Sequence, residues 1–187
     1  YFDIGTKSKH SGQHFMTWNS RFFNLPDNIV VITDAQTVSD IVSARASSAG
    51  CTIIMVQNIF ETSLGESIDW NFQHARDPEK IHHSAELYII WNQKSLWLSE
   101  VATANPYHSS HFFWADSGQF RDDAFLAEFV SPGEKWVTSY AFIPSCKIVL
   151  LAVEKFQDEE LLLDAHGQSL PLDPLLVRLG GGYFGGD

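Results

Sequence analysis

Cysteine is scarce in this chain. Only Cys51 and Cys146 occur among its 187 residues, and each lies in an apolar run typical of a strand. Two cysteines cannot form the framework of several bridges that holds small secreted domains together. The two positions therefore predict buried free thiols rather than a disulfide.

Basic side chains are also few. Lys and Arg together number 12 against 23 Asp and Glu, which gives a formal net charge of -11. A negative field repels a nucleic-acid backbone, so the composition predicts no nucleic-acid partner. It leaves room for a small phosphorylated ligand, because a local basic patch or a bound divalent cation overrides the global field at one site.

Long apolar runs and targeting signals are missing as well. No window approaches the roughly 18 to 20 apolar residues of a membrane span, and no signal peptide is present. The sequence predicts no membrane span within this chain and favours a cytoplasmic location. Because both ends resemble interrupted motifs, we expect truncation at both, and a missing terminal segment would allow a membrane-associated or lumenal protein.

Several common catalytic motifs do not occur. The phosphate loop Gly-x-x-x-x-Gly-Lys-Ser/Thr and the nucleophile elbow Gly-x-Ser-x-Gly are absent, and no Gly-x-Gly-x-x-Gly opens a helix near the N-terminus. Covalent hydrolysis is therefore not expected. His82 and His83 are adjacent and would point in different directions on a helix, and the pair His108–His111 has no third ligand nearby. Structural zinc is therefore not expected either.

The content of apolar residues indicates one domain over residues 1–187, since 44% of the residues are hydrophobic and 13% are aromatic. The first third alternates between strands and helices. Strands are predicted at 1–4, 28–34 and 51–56, and helices at 14–23 and 38–46. This alternation is typical of an α/β fold with a mainly parallel sheet flanked by helices.

The second half is more mixed. A helical block is predicted from about Pro78 to Ala104 as two helices, with Pro78 in a first turn and Asn105-Pro106 ending the block. One face of that block is predicted to contain Leu87, Ile90, Trp91, Lys94, Ser95 and Leu98. A strand at 111–115 and a helix at 123–129 follow, and then strands at 135–143, 147–153 and 175–187. These last strands predict an antiparallel addition in the C-terminal half.

Three predicted strands end in a carboxylate: Asp3, Asp34 and Asp116. Ligands in open α/β sheets bind beyond the carboxyl ends of strands, although helix capping is the competing explanation for each carboxylate and the favoured one for Asp34. Asp116 differs because Ser117 and Gly118 follow it, and glycine allows close backbone approach. A carboxylate beside a hydroxyl at a buried strand end suits Mg²⁺ or Mn²⁺.

Basic residues that could contact phosphate are Arg21, Arg45, Lys94, Arg121 and Arg178. Lys94 lies in the helical block before the Asp116 strand, and Arg121 follows the turn after it. Both are candidates for pyrophosphate contacts, and the alternative for each is a solvated surface charge.

The C-terminal end is rich in glycine, with five glycines between Gly180 and Gly186. Glycines interrupted by Tyr183 and Phe184 suggest backbone packed against a flat ligand in a pocket lined by aromatic rings. A flexible end or a bulged strand explains the pattern equally well.

Four blocks follow one another in the order seen in the HtrL/YibB family, and they span essentially the whole chain. The family in turn resembles the nucleotide-diphospho-sugar transferases of GT-A fold. The blocks are Tyr1-Phe2-Asp3-Ile4-Gly5, Ile90-Trp91-Asn92-Gln93-Lys94, Phe113-Trp114-Ala115-Asp116-Ser117-Gly118 with Phe120-Arg121, and Gly181-Gly182-Tyr183-Phe184-Gly185-Gly186.

The resemblance implies a glycosyltransferase with a GT-A-like fold. Asp116-Ser117-Gly118 looks like the Asp-x-Asp metal motif of such enzymes, with Gly118 in place of the second acid. Asp116 would then hold Mn²⁺ or Mg²⁺ alone, or through water with Asp122 or Asp123 nearby. The partners implied are a nucleotide-diphospho-sugar donor and a carbohydrate or glycoconjugate acceptor.

The resemblance also implies a division of roles between the blocks. Nucleotide binding is carried over to Phe2, Asp3, Gly5, Asp34, Lys94 and Arg121. Donor or acceptor binding is carried over to Trp114, Ser117, Gly118, Gly181, Gly182 and Tyr183. An inverting enzyme also needs a carboxylate base, for which Asp164 and Asp187 are candidates, whereas a retaining one does not.

Two alternatives stay open. A nucleotide- or sugar-binding module without catalysis would explain the single acid at Asp116. A metal-dependent phosphohydrolase would use Asp3 and Asp116, but its Asp-x-Asp-x-Thr pattern is replaced here by Asp3-Ile4-Gly5-Thr6.

Overall fold

The computed structural model describes residues 1–2, 4, 12–129, 145–152 and 179–186. The helices are α1 Gly12–Phe23, α2 Val38–Arg45, a 3-10 turn at Ile59–Glu61, α3 Ser63–Ser67, α4 Trp70–Arg76, α5 Ala85–Ala104 and α6 Asp123–Phe129. The strands are β1 Ile29–Thr33, β2 Thr52–Val56, β3 Phe112–Ala115, β4 Ile148–Ala152 and β5 Leu179–Gly186. The predicted helices α1, α2 and α6 and the predicted strands β1 to β5 are confirmed within a few residues. Of the two other predicted strands, the one at 135–143 lies outside the described residues, and the described residues of 1–4 are not assigned to a strand.

The described residues form a mixed α/β fold with two sheets. β1 and β2 pair in parallel, from Ile29 opposite Thr52 to Thr33 opposite Val56, and α2 forms the crossover between them. β3, β5 and β4 form a separate antiparallel sheet with β5 in the centre. The antiparallel part predicted for the C-terminal half is therefore present, whereas the parallel sheet of the described residues has two strands.

The first residues lie beside β1. The Tyr1 nitrogen donates to the Ile32 carbonyl, and the Thr33 hydroxyl donates to the Tyr1 carbonyl. Ile29 and Thr33 bond to the β2 side, and alternate residues of a strand direct their backbone groups to opposite edges. Tyr1 therefore lies along the edge of β1 away from β2, although residues 1, 2 and 4 are not assigned to a strand.

β1 contributes to two hydrophobic clusters because its successive side chains point to opposite faces. Val31 lies in the cluster that α1, α2 and Phe120 complete, and Ile32 lies in the cluster beneath α5. Trp97 of α5 is 1% exposed in the second cluster and Phe120 is fully buried in the first. The two clusters join the helices to both faces of β1.

The predicted burial of the cysteines is wrong. Cys51 and Cys146 are free but exposed, because they precede β2 and β4 instead of lying within them. Cys146 is in a turn and has a positive φ of 60°. The strands themselves are less buried than predicted: every residue of β3 is half-buried, and Val56 of β2 is exposed.

Arg45 is used by the fold. Its side chain is buried at the C-terminal end of α2, and its guanidinium donates to the Thr52 hydroxyl at 2.7 Å. Burial lowers the pKa of Arg45 below its ordinary value. The same guanidinium donates to four backbone carbonyls, those of Phe23, Leu25, Asp27 and Gly50, at 2.7 to 3.0 Å. This arginine is therefore engaged with the chain and not directed at a phosphate.

The prediction of two helices between Pro78 and Ala104 is wrong in its first part. Pro78 and His82–His83 lie in turns, and α5 begins at Ala85 because the Ser84 hydroxyl accepts from the Leu87 nitrogen. The helix ends as predicted, at Asn105, which is left-handed with a φ of 40°.

The buried face of α5 differs from the predicted face by a rotation of about one residue, or roughly 100° around the helix axis. The prediction was misled because the helix is apolar on more than one side. Trp91 and Ser95 are exposed. The buried residues are Ala85, Ile89, Gln93, Lys94 and Trp97. Among the helices of the described segments, none combines the length and the apolar character that a membrane crossing requires.

Candidate functional site

The end of β3 carries an ion pair. The Asp116 nitrogen donates to the Gly182 carbonyl of β5 at 2.8 Å, which continues the ladder by one residue. The Lys94 Nζ of α5 lies 2.8 Å from Oδ1 and 2.9 Å from Oδ2 of Asp116. The Trp114 Nε1 donates to Oδ1 at 2.7 Å. The structure thus brings together four residues singled out in the sequence, here called the Asp116 site: Lys94, Trp114, Asp116 and Gly182.

The two charges of the Asp116 site differ in exposure. The side chain of Lys94 is 9% exposed and that of Asp116 is 44% exposed. A buried ammonium is costly unless a carboxylate compensates it, and Asp116 does so with both oxygens. The Lys94 Nζ also lies 5.7 Å from the centre of the Trp114 ring. Solvent therefore reaches the pair from the carboxylate side.

A row of stacked aromatic rings holds this end of β3. Phe2 stacks on Trp97 at 5.6 Å, Trp97 stacks on Trp114 at 6.0 Å, and Trp114 stacks on Phe184 at 6.5 Å. Stacked rings at these separations favour one orientation of each indole. The Trp114 ring is consequently fixed with its N–H on Asp116, and Phe2 packs at the base of the site.

The glycines of β5 have two different surroundings. A Cβ on Gly185 would lie 2.0 Å from the Phe112 carbonyl oxygen, and one on Gly186 would lie 2.3 Å from that of Lys147. The neighbouring backbones thus exclude side chains at both positions. A Cβ on Gly182 would lie 3.5 Å from Oδ2 of Asp116, an ordinary contact.

The register of the β4–β5 pair shifts between Leu150 and Leu151. A bulged strand, one of the explanations offered for the glycine pattern, therefore applies to part of the glycine-rich end. The Tyr183 ring stacks on Phe113 at 5.4 Å. Contact of Gly181, Gly182 or Tyr183 with a donor or acceptor stays a prediction.

The turn after Asp116 rests on α1. The Gln119 nitrogen donates to the Asp116 carbonyl at 3.0 Å, and a Cβ on Gly118 would meet the Trp18 ring at 3.7 Å. The exposed Arg121 guanidinium lies 5.1 Å from the centre of the same ring. Arg121 is thus held over α1, while ligand contacts of Ser117, Gly118 and Arg121 stay predictions.

Asp34 caps the turn that precedes α2 and not the helix itself, whose N-cap residue is Thr37. Its Oδ1 accepts from the nitrogens of Gln36 and Thr37 at 2.9 and 3.0 Å. Asp34 and Asp116 are both close enough to the Tyr1 nitrogen to interact with it electrostatically. Both strand-end carboxylates therefore lie near the first residue, as expected for neighbouring strand ends.

The described residues alone do not complete a divalent-cation site at Asp116. They contain no group of three His, Cys, Asp or Glu side chains that could hold a metal. Both Asp116 oxygens are engaged by Lys94, and Asp123 is paired with Arg21 at 2.6 Å, which lowers the pKa of Asp123. Asp3 lies outside the described residues, so Mn²⁺ or Mg²⁺ at Asp116 stays a prediction.

Several other candidate residues lie outside the described residues. They are Gly5 for nucleotide binding, Arg178 for phosphate contact, and Asp164 and Asp187 as catalytic bases. Their predicted roles stay predictions.

A second group of polar side chains was not predicted. The Asp77 Oδ2 accepts from His83 Nδ1 at 2.6 Å and from the Tyr88 hydroxyl. These side chains line an open pocket of about 680 Å³ between α4 and α5. The sequence offers only a weak signal for it, namely the turn-forming Asp77-Pro78 pair before a helix whose Tyr88 and Trp91 are three residues apart.

Comparisons with known proteins leave this site to be interpreted from its own residues. No protein-family model, curated protein or solved structure matches the chain. The resemblance to the HtrL/YibB family is accordingly a hypothesis carried by the four sequence blocks.

Proposed function

We propose that this chain is a glycosyltransferase domain that binds a nucleotide-diphospho-sugar at the Asp116 site. It would transfer the sugar to a hydroxyl of a carbohydrate or glycoconjugate acceptor. The observation that carries the proposal is the Lys94–Asp116 ion pair at the end of β3. It puts an exposed carboxylate and a cation at the position where the sequence pattern predicts the diphosphate.

The placement of the first residues supports a GT-A-like arrangement. In such a fold the end of the first strand would lie near the nucleotide base and ribose. Tyr1 lies on the edge of β1 away from β2, and Phe2 reaches Trp114 through Trp97. A nucleotide would then bind in the crevice beyond these strand ends.

The chemistry proposed at the site is neutralisation of a leaving group. The bond from the anomeric carbon to the diphosphate oxygen breaks, and its electron pair stays on the diphosphate. The acceptor oxygen forms the new bond, and its proton passes to a carboxylate base in an inverting reaction or to the departing diphosphate in a retaining one. Lys94 would move from Asp116 to a diphosphate oxygen as negative charge develops there, which is the interaction that lowers such a barrier.

Asp116 would then contribute in one of two ways. Released from Lys94, its carboxylate could accept hydrogen bonds from ribose or sugar hydroxyls, or hold the predicted cation with donors outside the described residues. A divalent cation, where bound, supplies further charge for the diphosphate. Asp164 and Asp187 remain the candidates for the base in an inverting reaction.

One observation favours the second candidate, a binding module without catalysis. Lys94 occupies both oxygens of Asp116, so the pair is also a complete structural ion pair. In that case nucleotide sugars would bind without metal and without turnover.

Isothermal titration calorimetry tests the proposal. UDP-, GDP- and CDP-sugars are titrated with and without Mn²⁺ into wild type, Asp116→Ala, Asp116→Asn and the control Asp40→Ala, which changes an exposed carboxylate of α2. We expect one donor to bind and Asp116→Ala to weaken it at least about tenfold, the cost of one charged hydrogen bond. Asp40→Ala should leave affinity within about twofold, well below the cost of that bond.

The outcomes separate the candidates. Binding that is unchanged in both Asp116 variants contradicts the proposed site. Binding without sugar turnover over a broad acceptor panel supports the binding module, and release of inorganic phosphate from simple phosphoesters supports the phosphohydrolase. Tighter binding in Mn²⁺ that disappears in Asp116→Asn supports the predicted cation.

A further inference from the structure

The pocket between α4 and α5, called here the α4–α5 pocket, combines aromatic rings with paired polar groups. Its walls include Trp70, Gln73, Asp77, His83, Tyr88 and Trp91, and its volume is about 680 Å³. A cavity of this size holds one or two small rings. Its open mouth and mixed lining suit a polar ligand that stays partly in solvent.

Trp91 forms an exposed aromatic surface at the pocket. Its side chain is 43% exposed, whereas Trp70 is 7% exposed. The edge-on contacts of Trp91 with His83 at 5.1 Å and with Tyr88 at 5.8 Å limit its rotation. An indole held in this way loses little conformational freedom on binding, which is an advantage for a stacking ligand.

The polar wall is also fixed in advance. The His74 Nε2 lies within 3.1 Å of the Lys80 and His83 carbonyls, so it must donate, and it holds the turn that carries His83. The His83 Nδ1 donates to Asp77 at 2.6 Å. A neutral His83 ring therefore carries its lone pair on Nε2, ready to accept a hydrogen bond.

The remaining polar groups offer both donors and acceptors. Gln73 and Asn92 add planar amides to the lining, and Asn92 commits its Nδ2 to the Tyr88 carbonyl at 2.8 Å. Arg76 and Asp77 bring opposite charges. A purely apolar ligand would leave these groups without partners, and a polyanion would face the Asp77 carboxylate.

We propose that the α4–α5 pocket binds a neutral sugar ring. The apolar C–H face of the ring stacks on Trp91, and its hydroxyls donate to His83 Nε2 and exchange hydrogen bonds with the amides of Gln73 and Asn92. Sugars have these two features together: a flat apolar face and a rim of groups that donate and accept.

The position of the pocket indicates which sugar it serves. Trp91 and Lys94 are three residues apart on α5, which brings their Cβ atoms to roughly 5–6 Å. Trp91 of the pocket thus lies one helical turn from Lys94 of the Asp116 site. Its assignment as the acceptor subsite rests on the proposed transferase function, whereas sugar binding itself does not.

Saturation-transfer NMR and tryptophan fluorescence of the whole chain test the inference. The probes are the methyl glycosides of glucose, galactose, mannose and N-acetylglucosamine. We expect at least one to bind at millimolar concentration and Trp91→Ala to weaken it about tenfold, while Trp91→Phe, which keeps a ring, recovers part of the affinity. The matched control is Leu96→Ala, an exposed apolar residue of the same helix, which should bind like wild type.

Because Trp91 is exposed, its variants should keep the circular dichroism spectrum of wild type, so a loss of binding is separable from unfolding. Absence of binding for every glycoside, or equal affinity in wild type and Trp91→Ala, overturns the inference. Glycoside binding that persists when no nucleotide sugar binds keeps the pocket and refutes the proposed function. Nucleotide-sugar binding that requires Asp116, in the absence of glycoside binding, refutes the inference about the pocket and keeps the proposed function.

Discussion

Asp77 shows how a single carboxylate organises the turn before α5. Its Oδ1 accepts from the Glu79 nitrogen at 2.8 Å, and its Oδ2 accepts from His83 and Tyr88. The Tyr88 bond is the main reason that the pKa of Asp77 falls from 3.8 to about 2. The ionised form is therefore stabilised by folding.

The stability of the chain should depend on Asp77 in a defined pH window. Because the pKa of Asp77 is lower in the folded than in the unfolded chain, its ionised form stabilises the fold at pH values above the unfolded pKa of 3.8. This stabilisation is lost as pH falls toward the folded pKa of about 2. We expect Asp77→Asn to be less stable than wild type at pH 5, and the difference to shrink between pH 4 and pH 2, because protonation of Asp77 abolishes the same advantage. Urea unfolding midpoints at pH 5, 3 and 2 measure it.

Asp40→Asn is the control, since it changes an exposed carboxylate of α2. A difference between wild type and Asp77→Asn that is the same at all three pH values would contradict the assignment. On the alkaline side, burial and then the Asp77 bond raise the pKa of Tyr88 to about 12. Its contribution should be lost as pH rises from 10 toward 12.

Among the elements, β5 depends on glycine because backbone atoms beside it occupy the space that a Cβ would need at Gly185 and Gly186. A Cβ on Gly185 would overlap the Phe112 carbonyl oxygen and the Phe113 Cα, at 2.0 and 2.6 Å. Both are backbone atoms of β3, so relief requires the strands to separate. The strand that carries Gly182 to Asp116 is thereby tied to the end of β3.

We expect Gly185→Ala to lower the free energy of unfolding by about 2–3 kcal/mol, as overpacking of rigid backbone does. Gly182→Ala is the matched control, because its Cβ would make an ordinary contact of 3.5 Å, and it should cost less than about 1 kcal/mol. Urea unfolding gives both values. Equal losses would show that the β3–β5 spacing is not the constraint.

At the scale of the whole molecule, Trp97 links parts that are distant in the chain. It is 1% exposed and stacks on both Phe2 and Trp114. The N-terminal segment, α5 and the antiparallel sheet therefore meet on one indole.

Trp97→Ala should lower the free energy of unfolding by about 3–5 kcal/mol, the usual cost of removing a buried tryptophan. Trp91→Ala on the same helix should cost less than about 1 kcal/mol, since its ring is 43% exposed. Thermal and urea unfolding measure both. Similar losses for the two variants would mean that Trp97 does not join these parts.

Local patterns were sufficient for most elements of the described chain. Asn105-Pro106 ended α5 where predicted, and the β-branched run in β1 was correctly identified. The short helices between Ile59 and Arg76 were not among the predictions, because they begin with side-chain caps at Asn58, Thr62 and Asp69 and have little periodicity. Ser84 caps α5 in the same way and overrides the helix start suggested by Pro78.

The sequence by itself determined the α/β class, the strand ends and the position of Asp116, because these depend on residues close in the chain. Only the tertiary structure decided that Lys94 occupies both oxygens of Asp116. It also decided that Asp77, His83 and Tyr88 form one group and that Cys51 is exposed. Such hydrogen bonds and such burial depend on elements that packing brings together. Lys94 and Asp116 are 22 residues apart in the chain, and no local pattern encodes the distance between their side chains.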